Sequence, residues 1–173
     1  MFRSFDSNHK RLLREAVVIG EEVTSDYYKL SRHQWRQARY DILTLPELWQ
    51  DEISSHALAQ VTKYICWRPG RILNSGQYNF YRICLQDHNI LKALEENTNF
   101  ALLPLLIYVV THELVHVIRF GQFHQHFEAS VEEKAKEENM VHCLTQEILA
   151  PLKLPWLGEV LQYYKHHPEF INS

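Results

Sequence analysis

The sequence predicts an α-rich α+β domain: a central, almost wholly apolar helix packed against an acidic helix, with a small antiparallel sheet from the middle of the chain. Three observations carry that expectation. Residues 101–120 are apolar nearly throughout, and a helix apolar on all sides belongs inside a fold. Residues 127–149 join a dense acidic half to an apolar half with Val141, Leu144, Ile148 and Leu149 at helical spacing. Residues 77–86 follow Gly76, lack helix caps and are rich in Tyr, Phe and Ile, the composition of a strand.

The remaining elements follow in chain order. Leu12, Leu13, Ala16, Val17, Ile19 and Val23 recur every three to four positions, which predicts an amphipathic helix over residues 8–30. Ser31 is placed to cap a second helix from Arg32 to about Tyr40, stopping ahead of Pro46. Residues 57–68 fit helix or strand equally, and Pro69-Gly70 marks a turn after them. Asp87 is placed to cap a helix over residues 88–96, which Asn97-Thr98-Asn99 interrupts. In the apolar helix, Pro104 is tolerated in the first turn and Gly121 can end it. Pro151 closes the acidic helix, and a short last helix is expected around residues 160–164.

At 173 residues, with 46% hydrophobic and 23% charged residues and no internal repeat or linker, the chain reads as a single domain spanning 1–173. A net charge of -3 and scattered Lys and Arg offer no basic stripe for a phosphate backbone, so no nucleic-acid partner is expected. The first fifteen residues hold no apolar run of the kind a secretory signal has, so export is not expected. The longest nearly uncharged apolar run, residues 100–111, is about half of what would cross a bilayer, so it reads as a core helix and no membrane partner is expected. Three cysteines without CxxC spacing fit reduced thiols in a cytoplasmic protein.

The chemistry lies in the apolar helix. The chain has 11 His, most of them in its second half, which raises the expectation of metal binding. Thr111-His112-Glu113-Leu114-Val115-His116 is an HExxH sequence. Histidines at i and i+4 stand on one helix face, a turn apart, where both imidazoles can reach one ion. The intervening Glu113 is placed to take a proton from water at that ion without ligating it. His112, Glu113 and His116 are nearly the only polar interruptions of this helix, and ionisable side chains are rarely buried without a partner or a metal.

From this helix through the acidic one, about forty residues, the chain resembles the zincin zinc metallopeptidases. The resemblance implies a Zn2+ cofactor, a peptide or protein substrate, Glu113 as general base and a third protein ligand that defines the branch. The metzincin pattern would place Gly and His where this chain has Arg119 and Gln122, with Gly121 and His124 standing two residues later. SprT-like proteases also use a downstream His, which keeps His124 and His126 as candidates. The gluzincin branch uses a Glu from a second helix. Glu137 and Glu138 lie in its range and Glu133 slightly early, and at 100° per residue the apolar face of the acidic helix points closest to Glu138.

Glu138 is therefore the favoured third ligand beside His112 and His116. The stretch from Glu138 through Ile148-Leu149-Ala150-Pro151 is similar to the ImmA/IrrE peptidases, with a shift of two residues. Where gluzincins often carry Asp four residues after the ligand, this chain has His142, which reads as a hydrogen-bond donor behind the ligands, a stabiliser of a developing oxyanion, or simply a partly buried helix residue. The resemblance further implies an edge strand that holds extended peptide, for which residues 77–86 are the candidate. The rival from another class is a zinc-binding regulatory or scaffold protein on the same fold without turnover. Retention of Glu113 favours chemistry, since a structural site needs ligands but no base.

Overall fold

The structure is a computed structural model that describes residues 2–70, 76–122 and 129–167. Six helices and three strands appear among them: α1 (Ser7–Tyr28), α2 (Arg32–Gln37), β1 (Tyr40–Leu43), β2 (Ala59–Trp67), β3 (Gln77–Leu85), α3 (Asp87–Glu96), α4 (Leu102–Gly121), α5 (Val131–Leu149) and α6 (Leu157–His166). The arrangement is α-rich α+β.

Helix α4 is the axis of the molecule. It is long and apolar enough to cross a membrane, yet 89% of its most apolar window is buried inside the fold, as in a core helix. Around it pack α1, α5, α6, α3 and β2. The approach of α1 depends on small residues, with Leu13, Ala16, Gly20 and Thr24 forming its buried stripe. At Gly20 a Cβ would meet Thr111 Oγ1 and Val110 Cγ1 at 3.3 Å, so glycine lets the two helices close. A reciprocal capping box starts α1, in which Asp6 accepts from His9 N–H at 2.8 Å and His9 Nδ1 accepts from Asp6 N–H at 3.2 Å.

The sheet corrects two expectations. It is mixed, not antiparallel: its order is β1-β3-β2, with β3 antiparallel to β2 and parallel to β1. Residues 77–86, expected at an edge, contain the central strand β3, and the edges are β1 and β2. Burial agrees with that central place, because Tyr81, Ile83, Cys84 and Leu85 are all buried, as in a strand flanked on both sides. On one side Glu52 locks β3, accepting from Arg82 Nη1 at 3.0 Å and from the Tyr64 hydroxyl at 2.7 Å.

Two further boundaries differ. Ser31 does cap α2, but the helix ends at Gln37, and Tyr40 begins β1 paired with Tyr81 instead of closing the helix. Asp87 does not cap α3. The N-cap is Gln86, and the buried Asp87 carboxylate accepts from Phe5 N–H at 2.8 Å and Leu45 N–H at 3.1 Å, pinning two distant loops. Residues 57–68 resolve as β2, and Gly70 in the turn after it has φ 77, the left-handed region that glycine enters freely.

Candidate metal centre

The centre is built where α4 and α5 face one another. On α4, Tyr108, His112 and His116 succeed each other at four-residue intervals and so form one row. On α5, Ser130 caps the helix with Glu133 in a capping box, and the face bearing Val141, Thr145, Ile148 and Leu149 turns inward. That rotation delivers Glu138 and His142 to the α4 row.

Glu138 lies between the two imidazoles, with Oε1 3.1 Å from His116 Nε2 and Oε2 3.4 Å from His112 Nε2. The three side chains form a group close enough to hold one metal ion. The spacings fit the chemistry of the donor set. One ligand atom from each of the three lies within 4.8 Å of the others, near the roughly 3.3 Å that separates ligand atoms about 2.0–2.1 Å from a tetrahedral ion. Two imidazole nitrogens and a carboxylate oxygen leave a fourth position for an exchangeable ligand.

Other sequence candidates are placed elsewhere. Glu137 pairs with Arg119 through both carboxylate oxygens, one at 3.0 Å from Nη2, and both side chains are largely buried. Glu133 accepts from Ser130 N–H at 2.8 Å at the start of α5. His124 and His126 lie outside the described residues.

Burial sets the protonation states. His112 and Glu113 are each 1% exposed and His116 4%. Burial holds His112 down to about 4, so its imidazole is neutral, the form that ligates metal. For Glu138 burial alone would raise the carboxyl, but hydrogen bonds with His112 and His116 outweigh it and keep the group well below the usual carboxylate range. Glu113 behaves oppositely. Burial pushes its carboxyl up to about 8, and neither oxygen has a hydrogen-bond partner. The Glu138 side chain is 36% exposed, so the group opens to solvent on the α5 side.

Sequence reasoning missed Tyr108. Its hydroxyl is 2.8 Å from His142 Nδ1, and its ring stacks on Tyr164 of α6 with centroids 4.9 Å apart. The signal was present, because a lone hydroxyl four residues before His112 in an otherwise apolar turn belongs to the same row.

Fold and site together define an α-rich α+β protein with a largely buried His-His-Glu group close enough to hold a metal ion. No protein-family model, curated protein or solved structure matches the chain. Its functional reading therefore rests on its own residues.

Proposed function

We propose that the chain is a zinc-dependent metallopeptidase of the zincin type, in which His112, His116 and Glu138 hold the zinc and Glu113 is the general base for peptide hydrolysis. The observation that carries this reading is Glu113: a buried carboxyl with both oxygens unsatisfied, beside a three-ligand group with room for a fourth ligand. A buried polar group left without a hydrogen bond costs about 1–3 kcal/mol, which a helix selected for packing alone would shed. Zinc in such a set acts as a Lewis acid toward a carbonyl and toward water. Glu113 receives the proton released when water attacks. The positive charge of a metal at the three-ligand group would draw the Glu113 carboxyl down from the metal-free value of about 8, so that it can accept a proton near pH 7 and pass it on to the leaving amine. His112 and His116 are fixed by a helix on which almost no atom can move without disturbing the core, which keeps the ligands in register with Glu113.

Elemental analysis of the purified protein tests the site, and a peptide-library digest tests the reaction. About one zinc per chain is expected, retained in Glu113→Gln while peptide cleavage falls by about 10²–10⁴-fold. Equal cleavage by wild type and Glu113→Gln refutes the role of Glu113. One observation favours the second reading, a zinc-binding regulatory or scaffold protein: His112, Glu113 and His116 are at most 4% exposed, so a substrate must enter past Glu138. Stoichiometric zinc with no cleavage across a broad library supports that alternative.

A further inference from the structure

His142 occupies α5 one turn after Glu138, on the face turned to α4, and is 8% exposed. Its two ring nitrogens are treated differently. Nδ1 meets the Tyr108 hydroxyl at 2.8 Å, whereas Nε2 is buried with no hydrogen-bond partner. The Tyr108 phenol keeps its proton, because burial drives its ionisation far above the ordinary range. A protonated phenol has one proton to give, and His142 Nδ1 at 2.8 Å is placed to accept it. A phenol that donates to Nδ1 requires the Nε2–H tautomer of the imidazole. Nε2, buried and without a hydrogen-bond partner, belongs to the residue one turn after Glu138 on α5.

We propose that His142 Nε2–H donates to an anionic oxygen of the ligand taken up at the His112–His116–Glu138 group, the oxygen of a peptide carbonyl as it gains charge or of a product carboxylate. Tyr108 is the positioning residue that sets the tautomer. The proposal rests on the metallopeptidase reading, since it needs a metal-held ligand for His142 to face. It makes the site selective for ligands that present a second, negatively charged oxygen on the α5 side, in preference to neutral donors such as imidazole or thiol.

Zinc-loaded protein titrated with acetohydroxamate, with zinc measured in the same samples, gives the test. Wild type should bind the hydroxamate, and His142→Leu and Tyr108→Phe should each weaken it by about 10-fold or more with zinc unchanged, because a hydrogen bond to a charged group is worth about 1.5–3 kcal/mol. His142→Gln, whose amide N–H can reach the same place, should recover part of the loss. Nitrogen-15 NMR of the imidazole supplies a readout that mere packing would not move: Nε2–H in wild type, and a shift toward Nδ1–H in Tyr108→Phe. Unchanged hydroxamate affinity in both loss variants at full zinc overturns this proposal and leaves the metallopeptidase reading standing. A wild type that binds no zinc overturns both. Should a variant fail to fold, the tautomer in wild type decides, and Nδ1–H there is fatal to the proposal.

Discussion

Glu113 makes the stability of the metal-free protein depend on pH in a window of its own. Its carboxyl is raised from 4.5 to about 8 by burial, so between those values the fold holds a proton that the unfolded chain has released. Stability is fully present below 4.5 and is lost as pH rises toward 8. At about 1.4 kcal/mol per pH unit, the whole interval amounts to about 5 kcal/mol. His112 runs the other way: lowered from 6.5 to about 4, it adds stability as pH climbs through that range and nothing above it. The two slopes oppose each other below 6.5. Between pH 6.5 and 8 Glu113 acts without that opposition, and the loss there is about 2 kcal/mol. Urea unfolding of chelator-treated protein at several pH values measures it, with Glu113→Gln as the control that cannot titrate. The expected result is a fall of about 2 kcal/mol in wild type relative to the Gln variant across pH 6.5–8. Parallel pH profiles would show that Glu113 ionises in the fold as it does in water, and the argument from its burial would fail.

The ligand assignment is separable from the neighbouring ion pair. Glu138→Ala should strip zinc from the protein, whereas Glu137→Ala should keep it, by elemental analysis after dialysis; the reverse pattern would move the site by one residue. Glu137→Ala should instead destabilise by about 1–3 kcal/mol in denaturant unfolding, because Arg119 loses a largely buried two-point partner. Gly20→Ala should destabilise by about 1–3 kcal/mol, since its methyl would sit 3.3 Å from Thr111 and Val110, and thermal melts that match wild type would show that α1 has slack there.

What was legible in the sequence was what short-range chemistry decides. The reach of α1 and α4 and the end of α5 follow from apolar spacing and from breakers such as Pro151, though α5 starts at Val131 behind a Ser130 cap and not at residue 127, and the His112–His116 pair is a property of one helix turn. The failures are non-local. Tyr40 looks like the end of a helix until β3 offers it a partner at Tyr81, forty-one positions away. The parallel pairing of β1 with β3 leaves no mark in either strand, so the sheet's mixed character and the central place of β3 were out of reach. Asp87 carries a cap's chemistry, and tertiary contacts with Phe5 and Leu45 claim it first. At the centre, helical geometry alone pointed to Glu138, but the reason Glu137 stands apart is Arg119, which lies on another helix and which no pattern on α5 announces.

The polar atoms of the α4–α5 seam are arranged in an order that stability does not explain. Glu138 bridges the two histidines through their Nε2 atoms, while Glu113 beside them and His142 one turn along keep buried atoms without hydrogen-bond partners. Each such atom costs about 1–3 kcal/mol, against a total stability of about 5–15 kcal/mol for a domain. Apolar residues of similar volume at 113 and 142 would remove that cost, and the surrounding α4 shows that the chain readily places Leu, Val and Ile in this layer. The unsatisfied atoms of Glu113 and His142 come from the same two helices as the one group in the described residues that can hold a metal. Under the proposed metallopeptidase reading, that leaves a carboxyl and an imidazole nitrogen to meet what a metal there would hold, a use that packing gives to neither residue.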